Sequence, residues 1–171
     1  MAEEWRPIAG FEGVYDVSSE GRVRSLPRVV EYGGTRKGIS RNAPGRILTA
    51  RRQTHYPNVS LYTGNKNRVV RLIHRLVLEA FVGPRPDGMH ACHNDGNRLN
   101  NSVSNLRWDT ITENNRDIVR QGRNSNANKT HCPSGHKYDK ANTYEAPSRP
   151  GTRYCRICVR ERNAVRRGAA R

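Results

Sequence analysis

Apolar positions along the chain change their spacing several times, and each change predicts a different element. Between Trp5 and Leu26 the apolar members Tyr15, Val17, Val23 and Leu26 sit among polar neighbours, which predicts short strands. Ser18-Ser19-Glu20-Gly21 predicts a turn between them. Residues 46–72 read as strands again, through Ile47, Leu48, Val59, Leu61, Val69 and Val70, with a break at Tyr62-Thr63-Gly64-Asn65. The two sets predict one small antiparallel sheet. The intervening 27–45 is rich in Gly and Arg without a clear period and is expected to be an exposed basic loop.

From Arg71 to Phe81 the period lengthens. Leu72, Leu76 and Ala80, flanked by Ile73, Val77 and Phe81, form a stripe at helical spacing. Gly83-Pro84 ends that helix. His74 and Arg75 are expected on its outer face. Residues 88–93 predict a strand, 94–105 a polar loop and 106–109 a second strand, with Trp108 in the core. Thr110, with Glu113 three residues later, predicts a capped helix to about Gln121. The expected organisation is an N-terminal module with its basic loop (1–45), a central domain (46–121), a polar linker (122–130) and a separate basic tail (131–171). The fold class is α+β.

Composition narrows the partners. Only 34% of the 171 residues are hydrophobic, which favours several small modules over one large core. Lys and Arg number 31 against 15 acidic residues, a formal charge of +16, and such an excess favours a polyanion. No long apolar run or amphipathic basic helix stands out, so a membrane partner is not expected. Aromatics are 6%, which disfavours stacking platforms for single strands. The start, Met-Ala-Glu-Glu-Trp, is acidic and lacks an apolar stretch; the expectation is an intracellular protein.

Four cysteines are more readily metal ligands than a disulfide framework. Cys132-x₃-His136 and Cys155-x₂-Cys158 supply one imidazole and three thiolates, a normal tetrahedral set for structural Zn²⁺. Few large apolar residues lie between the pairs, so the tail is expected to need the ion to fold. His131 is a poorer ligand candidate because it adjoins Cys132. Arg153, Arg156, Arg160, Arg162, Arg166 and Arg167 surround the set and suit phosphates.

The most specific pattern lies at Met89–Asn101 and beyond: His93, a D-G turn, Asn105 and then Asn114. This layout suits a neutral base and a hard-metal ligand around one phosphate. The segments H-R-L-V-L-E-A-F, H-N-D-G-N-R-L-N-N, N-L-R-W-D-T and E-N-N-R-D occur in that order between Ile73 and Asp117. They resemble the HNH nuclease motif, a ββα-metal fold. The run from Trp5 to Leu26 resembles the NUMOD4 module of phage HNH homing endonucleases, and the tail looks like their zinc-ribbon-like tails.

The resemblance implies roles. His93 would be the general base. Asn114 would hold a catalytic Mg²⁺ or Mn²⁺ through its amide oxygen, and Asn105 would keep strand and loop in register and help orient the histidine. The family usually has Asp or His before the base; here it is Cys92, a soft ligand better suited to Zn²⁺. Three arrangements stay open: Asn114 with DNA oxygens and water, Cys92 as a direct ligand, or His90 reaching in from the same strand face. An inert buried thiol is also open for Cys92. Asp95 is expected to form the turn, and Asn100 and Asn101 to brace the loop. DNA contacts are expected from Arg22, Arg24 and Arg28, from Arg36, Lys37, Arg41, Arg51 and Arg52, and from Arg156 and Arg160. The implied function is a monomeric, metal-dependent, site-specific DNA endonuclease that nicks one strand and leaves 5′-phosphate and 3′-hydroxyl ends. The rival is a non-enzymatic, zinc-containing DNA-binding protein derived from such a nuclease.

Overall fold

This computed structural model describes residues 2–31, 38–51, 55–63, 67–149 and 152–168. Of the expected DNA contacts, Arg36, Lys37 and Arg52 lie outside the described residues. Two compact units are present, Met1–Asp117 and Ile118–Arg171.

In the first unit the strands are β1 (Trp5–Pro7), β2 (Tyr15–Ser18), β3 (Val23–Ser25), β4 (Arg28–Glu31), β5 (Ser40–Ala43), β6 (Arg46–Ile47), β7 (Asn58–Thr63) and β8 (Asn67–Leu72). The chain order β1-β2-β3-β6 makes a four-stranded antiparallel sheet. The Ser18–Gly21 turn joins β2 to β3, with Gly21 at φ 79°, a conformation that costs glycine little and other residues more.

Two expectations are corrected here. The segment 27–45 is not a plain loop, because β4 and β5 pair as a hairpin from Arg28↔Ala43 to Glu31↔Ser40. Val29 is 63% exposed and no residue of β4 or β5 is fully buried, so no core stripe marks it. Residues 46–72 do not complete one sheet: β6 joins the first sheet, while β7 and β8 form their own hairpin.

Helix α1 (Ile73–Phe81) buries Ile73, Leu76, Val77 and Leu78, and also His74. His74 is 4% exposed, which corrects its expected outward position. The physical reason is that α1 packs against β1 and β2 and also against the next hairpin, so its buried face is wider than one apolar stripe. That hairpin is β9 (His90–His93) with β10 (Leu106–Asp109), registered Leu106↔His93 and Arg107↔Cys92. Helix α2 (Ile111–Arg120) follows, and the Thr110 hydroxyl accepts the Glu113 N–H at 3.2 Å, an N-cap.

One core joins these parts. Ile8, Phe11, Tyr15, Val17 and Val23 pack with Val59, Leu61, α1 residues and Leu106, and Trp108 lies against them. The 1–45 module is therefore not separate from the central domain, and the division between units falls inside α2 rather than in 122–130. In the second unit β11 (Thr143–Glu145) pairs with β12 (Arg153–Cys155), and α3 (Arg156–Gly168) follows. Its buried described residues are Cys132, Cys155 and Asn142. No helix among the described residues is long and apolar enough to cross a membrane.

Candidate nuclease centre and zinc site

The loop between β9 and β10 is built by amides. Asn105, in a 3₁₀ turn (Val103–Asn105), donates from Nδ2 to Asp95 Oδ1 at 2.9 Å and to the Asn100 carbonyl at 2.9 Å. Its Oδ1 accepts the Asp95 N–H at 3.0 Å. Asp95 also accepts the Asn97 N–H at 2.7 Å and Asn100 Nδ2 at 2.8 Å. Desolvation pushes the Asp95 carboxyl up, but these donors together, with His93 nearby, bring it below its ordinary value. Asp95 is thus occupied as a turn former.

His93 is buried at the end of β9. Its Nε2 lies 3.2 Å from Asn101 Oδ1. Asn101 Nδ2 donates to the Leu99 carbonyl at 3.3 Å, which turns the amide oxygen toward the imidazole. An amide oxygen only accepts, so this network assigns the proton to Nε2 and the lone pair to Nδ1. Tyr56 stacks on the ring, with centroids 6.1 Å apart and planes at 23°, and His74 meets it edge-on at 5.3 Å. Burial, the neighbouring His93 and Arg75 lower the pKa of His74 to about 4. The wall beside His93 is therefore neutral at physiological pH. His74 Nδ1 is buried without a hydrogen-bond partner, and the Arg98 guanidinium lies 5.0 Å over the Tyr56 ring. The amide that touches His93 is Asn101, which the sequence suggests only as a loop brace. Asn105 shapes the loop around it. Asn101 carries no sequence signal that separates it from its neighbour Asn100.

Cys92 adjoins His93 and so faces the other side of the strand. It is 1% exposed, with Sγ 3.5 Å from the His90 carbonyl. Burial pushes its thiol above the ordinary range; Arg107 opposes this, and Asp109 and Asp117 add to it. Across the hairpin, Arg107 bonds Asp109 at 2.8 Å and also reaches Asn94 and Asp117, tying α2 to β10. Asn114 lies one turn before Asp117 on α2 and is half-buried. No described residue bonds its carboxamide, whereas its backbone N–H donates to Thr110 at 3.0 Å. The donor chemistry suits a hard divalent ion at the Asn114 oxygen; a protonated Cys92 thiol suits it poorly.

In the tail, Cys132, His136, Cys155 and Cys158 bring their ligand atoms within 4.8 Å of one another. Cys132 Sγ is 3.6 Å from Cys158 Sγ, and His136 Nδ1 is 3.3 Å from Cys158 Sγ and 3.7 Å from Cys155 Sγ. A tetrahedron with Zn–S near 2.3 Å needs edges of about 3.7 Å, so the four residues fit Zn²⁺. Desolvation opposes ionisation of Cys155, yet the Cys158 N–H and the Asn142 amide, with the neighbouring thiols, bring it to about 6, which favours the ligating thiolate. Asn142 is a further residue missed in the sequence: Nδ2 reaches Cys155 Sγ at 3.3 Å and Oδ1 accepts the Ile157 N–H at 3.1 Å. His131 stays outside the set, its Nδ1 3.0 Å from the Thr130 hydroxyl.

The expected DNA contacts are unevenly engaged. Arg22 pairs with Glu3, and Arg24 with Asp16 at 2.8 Å, both guanidiniums lying over Trp5. Arg28, Arg41, Arg46 and Arg51 line a cavity of ≈ 880 Å³ with no carboxylate among its described lining residues. Arg156 donates to the Thr143 carbonyl at 3.3 Å, and Arg160 is exposed on α3.

A ββα unit carrying His93, Asn105 and Asn114 defines an HNH-type protein, and comparison with known proteins agrees. The NUMOD4 motif matches residues 3–62, and the HNH endonuclease family matches residues 71–116. The chain is 33% identical over 107 residues to DNA endonuclease I-HmuI of Bacillus phage SP01, covering 63% of this chain and 52% of that protein. It is 26% identical over 122 residues to an uncharacterized HNH endonuclease of Acanthamoeba polyphaga mimivirus, covering 71% of this chain and 32% of that one. The solved structure titled "DNA binding and cleavage by the HNH homing endonuclease I-HmuI" aligns with a TM-score of 0.54 and 31% identity, over 70% of this chain and 59% of that chain. The chain thus spans about half the length of I-HmuI, and less of the mimivirus relative. It is similar, over these two matched segments, to HNH homing endonucleases of phage.

Proposed function

We propose that this chain is a metal-dependent, site-specific DNA endonuclease that nicks one strand of double-stranded DNA and leaves 5′-phosphate and 3′-hydroxyl ends. The observation that carries this reading is the buried His93, whose Nε2 lies 3.2 Å from Asn101 Oδ1. A neutral imidazole placed there would act as general base and take a proton from water. That water attacks phosphorus in line with the leaving 3′ oxygen. Asn114 would hold Mg²⁺ or Mn²⁺, an ion that supplies charge neutralisation at the phosphate and at the leaving oxygen. The neutral His74 beside the base adds no positive charge to compete with its protonation. I-HmuI, an HNH homing endonuclease that binds and cleaves DNA, supports the substrate class.

The chain acts as an intracellular monomer, in the host cytoplasm if phage-encoded; one centre on an asymmetric monomer cuts one strand. The Cys132-His136-Cys155-Cys158 set holds Zn²⁺ and folds the tail, which adds phosphate contacts through Arg156 and Arg160. The test is supercoiled plasmid with Mg²⁺, Mn²⁺ or EDTA, run with wild type, His93→Ala and Asn114→Ala. Open-circular product from wild type in either metal, lost in both variants and in EDTA, is expected.

One observation favours a binding-only reading: Cys92 stands where the family usually has Asp or His, and its thiol is buried with its pKa raised. Wild type that shifts duplex DNA in a gel yet cuts no DNA across metals would select it.

A further inference from the structure

We propose that Asn101 is the positioning residue for His93, and that the Gly21 turn of the N-terminal sheet sets its place. The two family-matched segments then complete one centre. This rests on the reading of His93 as the base.

Three observations carry it. Asn101 is a buried amide whose oxygen meets His93 Nε2 and whose nitrogen is held by the Leu99 carbonyl, so it presents an acceptor in one orientation. The backbone of the same loop is anchored on the β2–β3 turn, where the Val103 N–H donates to the Ser19 carbonyl at 2.8 Å. Finally, Gly21 is in contact with Asn101 itself. A Cβ at Gly21 would lie 2.6 Å from Asn101 Cβ and 2.9 Å from its carbonyl oxygen. These are atoms at or next to the main chain, which cannot swing aside as a flexible side chain would. Asn101 and everything it aims must shift if that space is filled.

Gly10 supplies a built-in control. Its φ is +78° against +79° at Gly21, yet a Cβ there meets nothing within 4 Å. Alanine at either position carries the same kind of backbone strain, but only alanine at Gly21 presses on Asn101. An N-terminal module that served only as a tether would make the two substitutions equivalent.

The experiment uses the full chain and two readouts. Nitrogen-15 shifts of labelled histidine report the His93 tautomer without DNA or activity. The Nε2–H form should dominate in wild type and in Asn101→Asp, which keeps an acceptor, and should give way to mixed tautomers in Asn101→Leu. Single-turnover nicking of supercoiled plasmid is the second readout. Asn101→Leu and Gly21→Ala should each lose about 10–100-fold in rate, the size usual for groups that orient a functional histidine. Plasmid affinity in EDTA should be unchanged, Asn101→Asp should recover most of the rate, and Gly10→Ala should match wild type. An unaltered tautomer in Asn101→Leu overturns the proposal, as do equal losses in Gly21→Ala and Gly10→Ala at equal melting temperature. Should Gly21→Ala not fold, the Asn101→Leu and Asn101→Asp pair decides. Wild type that cuts no plasmid but shows the expected tautomers refutes the nuclease reading and leaves the positioning of His93 intact.

Discussion

The hairpin centre in Met1–Asp117 and the cysteine site in Ile118–Arg171 are both small polar sites, but they are held in different ways. His93 stands beside a shared apolar core that includes Leu76, Val77 and its own strand partner Leu106, with a web of asparagine amides around it. The tail shows no such base among the described residues: α3 buries none, and the buried groups are two candidate thiol ligands and Asn142. Hydrophobic burial does not offset chain entropy there, and a metal must. The candidate base is thus fixed by packing, and the candidate zinc unit would be fixed by ligation.

Stripping zinc should make the largest difference between the two. Structural Zn²⁺ contributes on the order of 10 kcal/mol in small modules, so a chelator or Cys158→Ser should unfold the tail while the first unit keeps its thermal transition. Zinc analysis with residue-resolved NMR reads both; a tail that stays folded without metal would erase the contrast. Leu76→Ala should do the reverse. It should cost the first unit about 2–5 kcal/mol in urea unfolding and leave zinc content unchanged.

Acid should separate them next. His74 is held down to about 4 in the folded unit, while the unfolded chain takes up the proton near 6.5. Between those values the unfolded state binds more protons, so stability falls as pH drops through the window. A gap of this size corresponds to about 3 kcal/mol. Urea midpoints at pH 7 and pH 4 should show that loss in wild type and much less of it in His74→Phe. The smallest effect is at the tail surface, where Arg160→Ala should weaken duplex binding and lower the salt slope by roughly one; an unchanged slope would remove Arg160 from the footprint.

What the sequence made legible follows the same division. The β9–loop–β10–α2 unit was readable because the D-G turn, the Thr110 cap and the His93–Asn105–Asn114 spacing are local signals. The tail ligands were readable because two short pairs encode one tetrahedron. The β4–β5 hairpin was not, since Val29 lies exposed and neither strand buries a residue in the core. His74 looked peripheral on a single helical stripe, and only the packing of α1 against both sheet and hairpin turns it inward. Asn101 and Asn105 are both loop asparagines in the sequence. Asn101 is the one that reaches His93, and it lies against Gly21, eighty residues earlier in the chain, a proximity that no local pattern encodes.

The most direct measurement is the single-turnover nicking rate of wild type and His93→Ala at matched zinc content and melting temperature. A loss of at least about 100-fold is predicted, as expected for a missing general base, with duplex binding retained. Equal rates in the two proteins would contradict a nuclease centre built on His93.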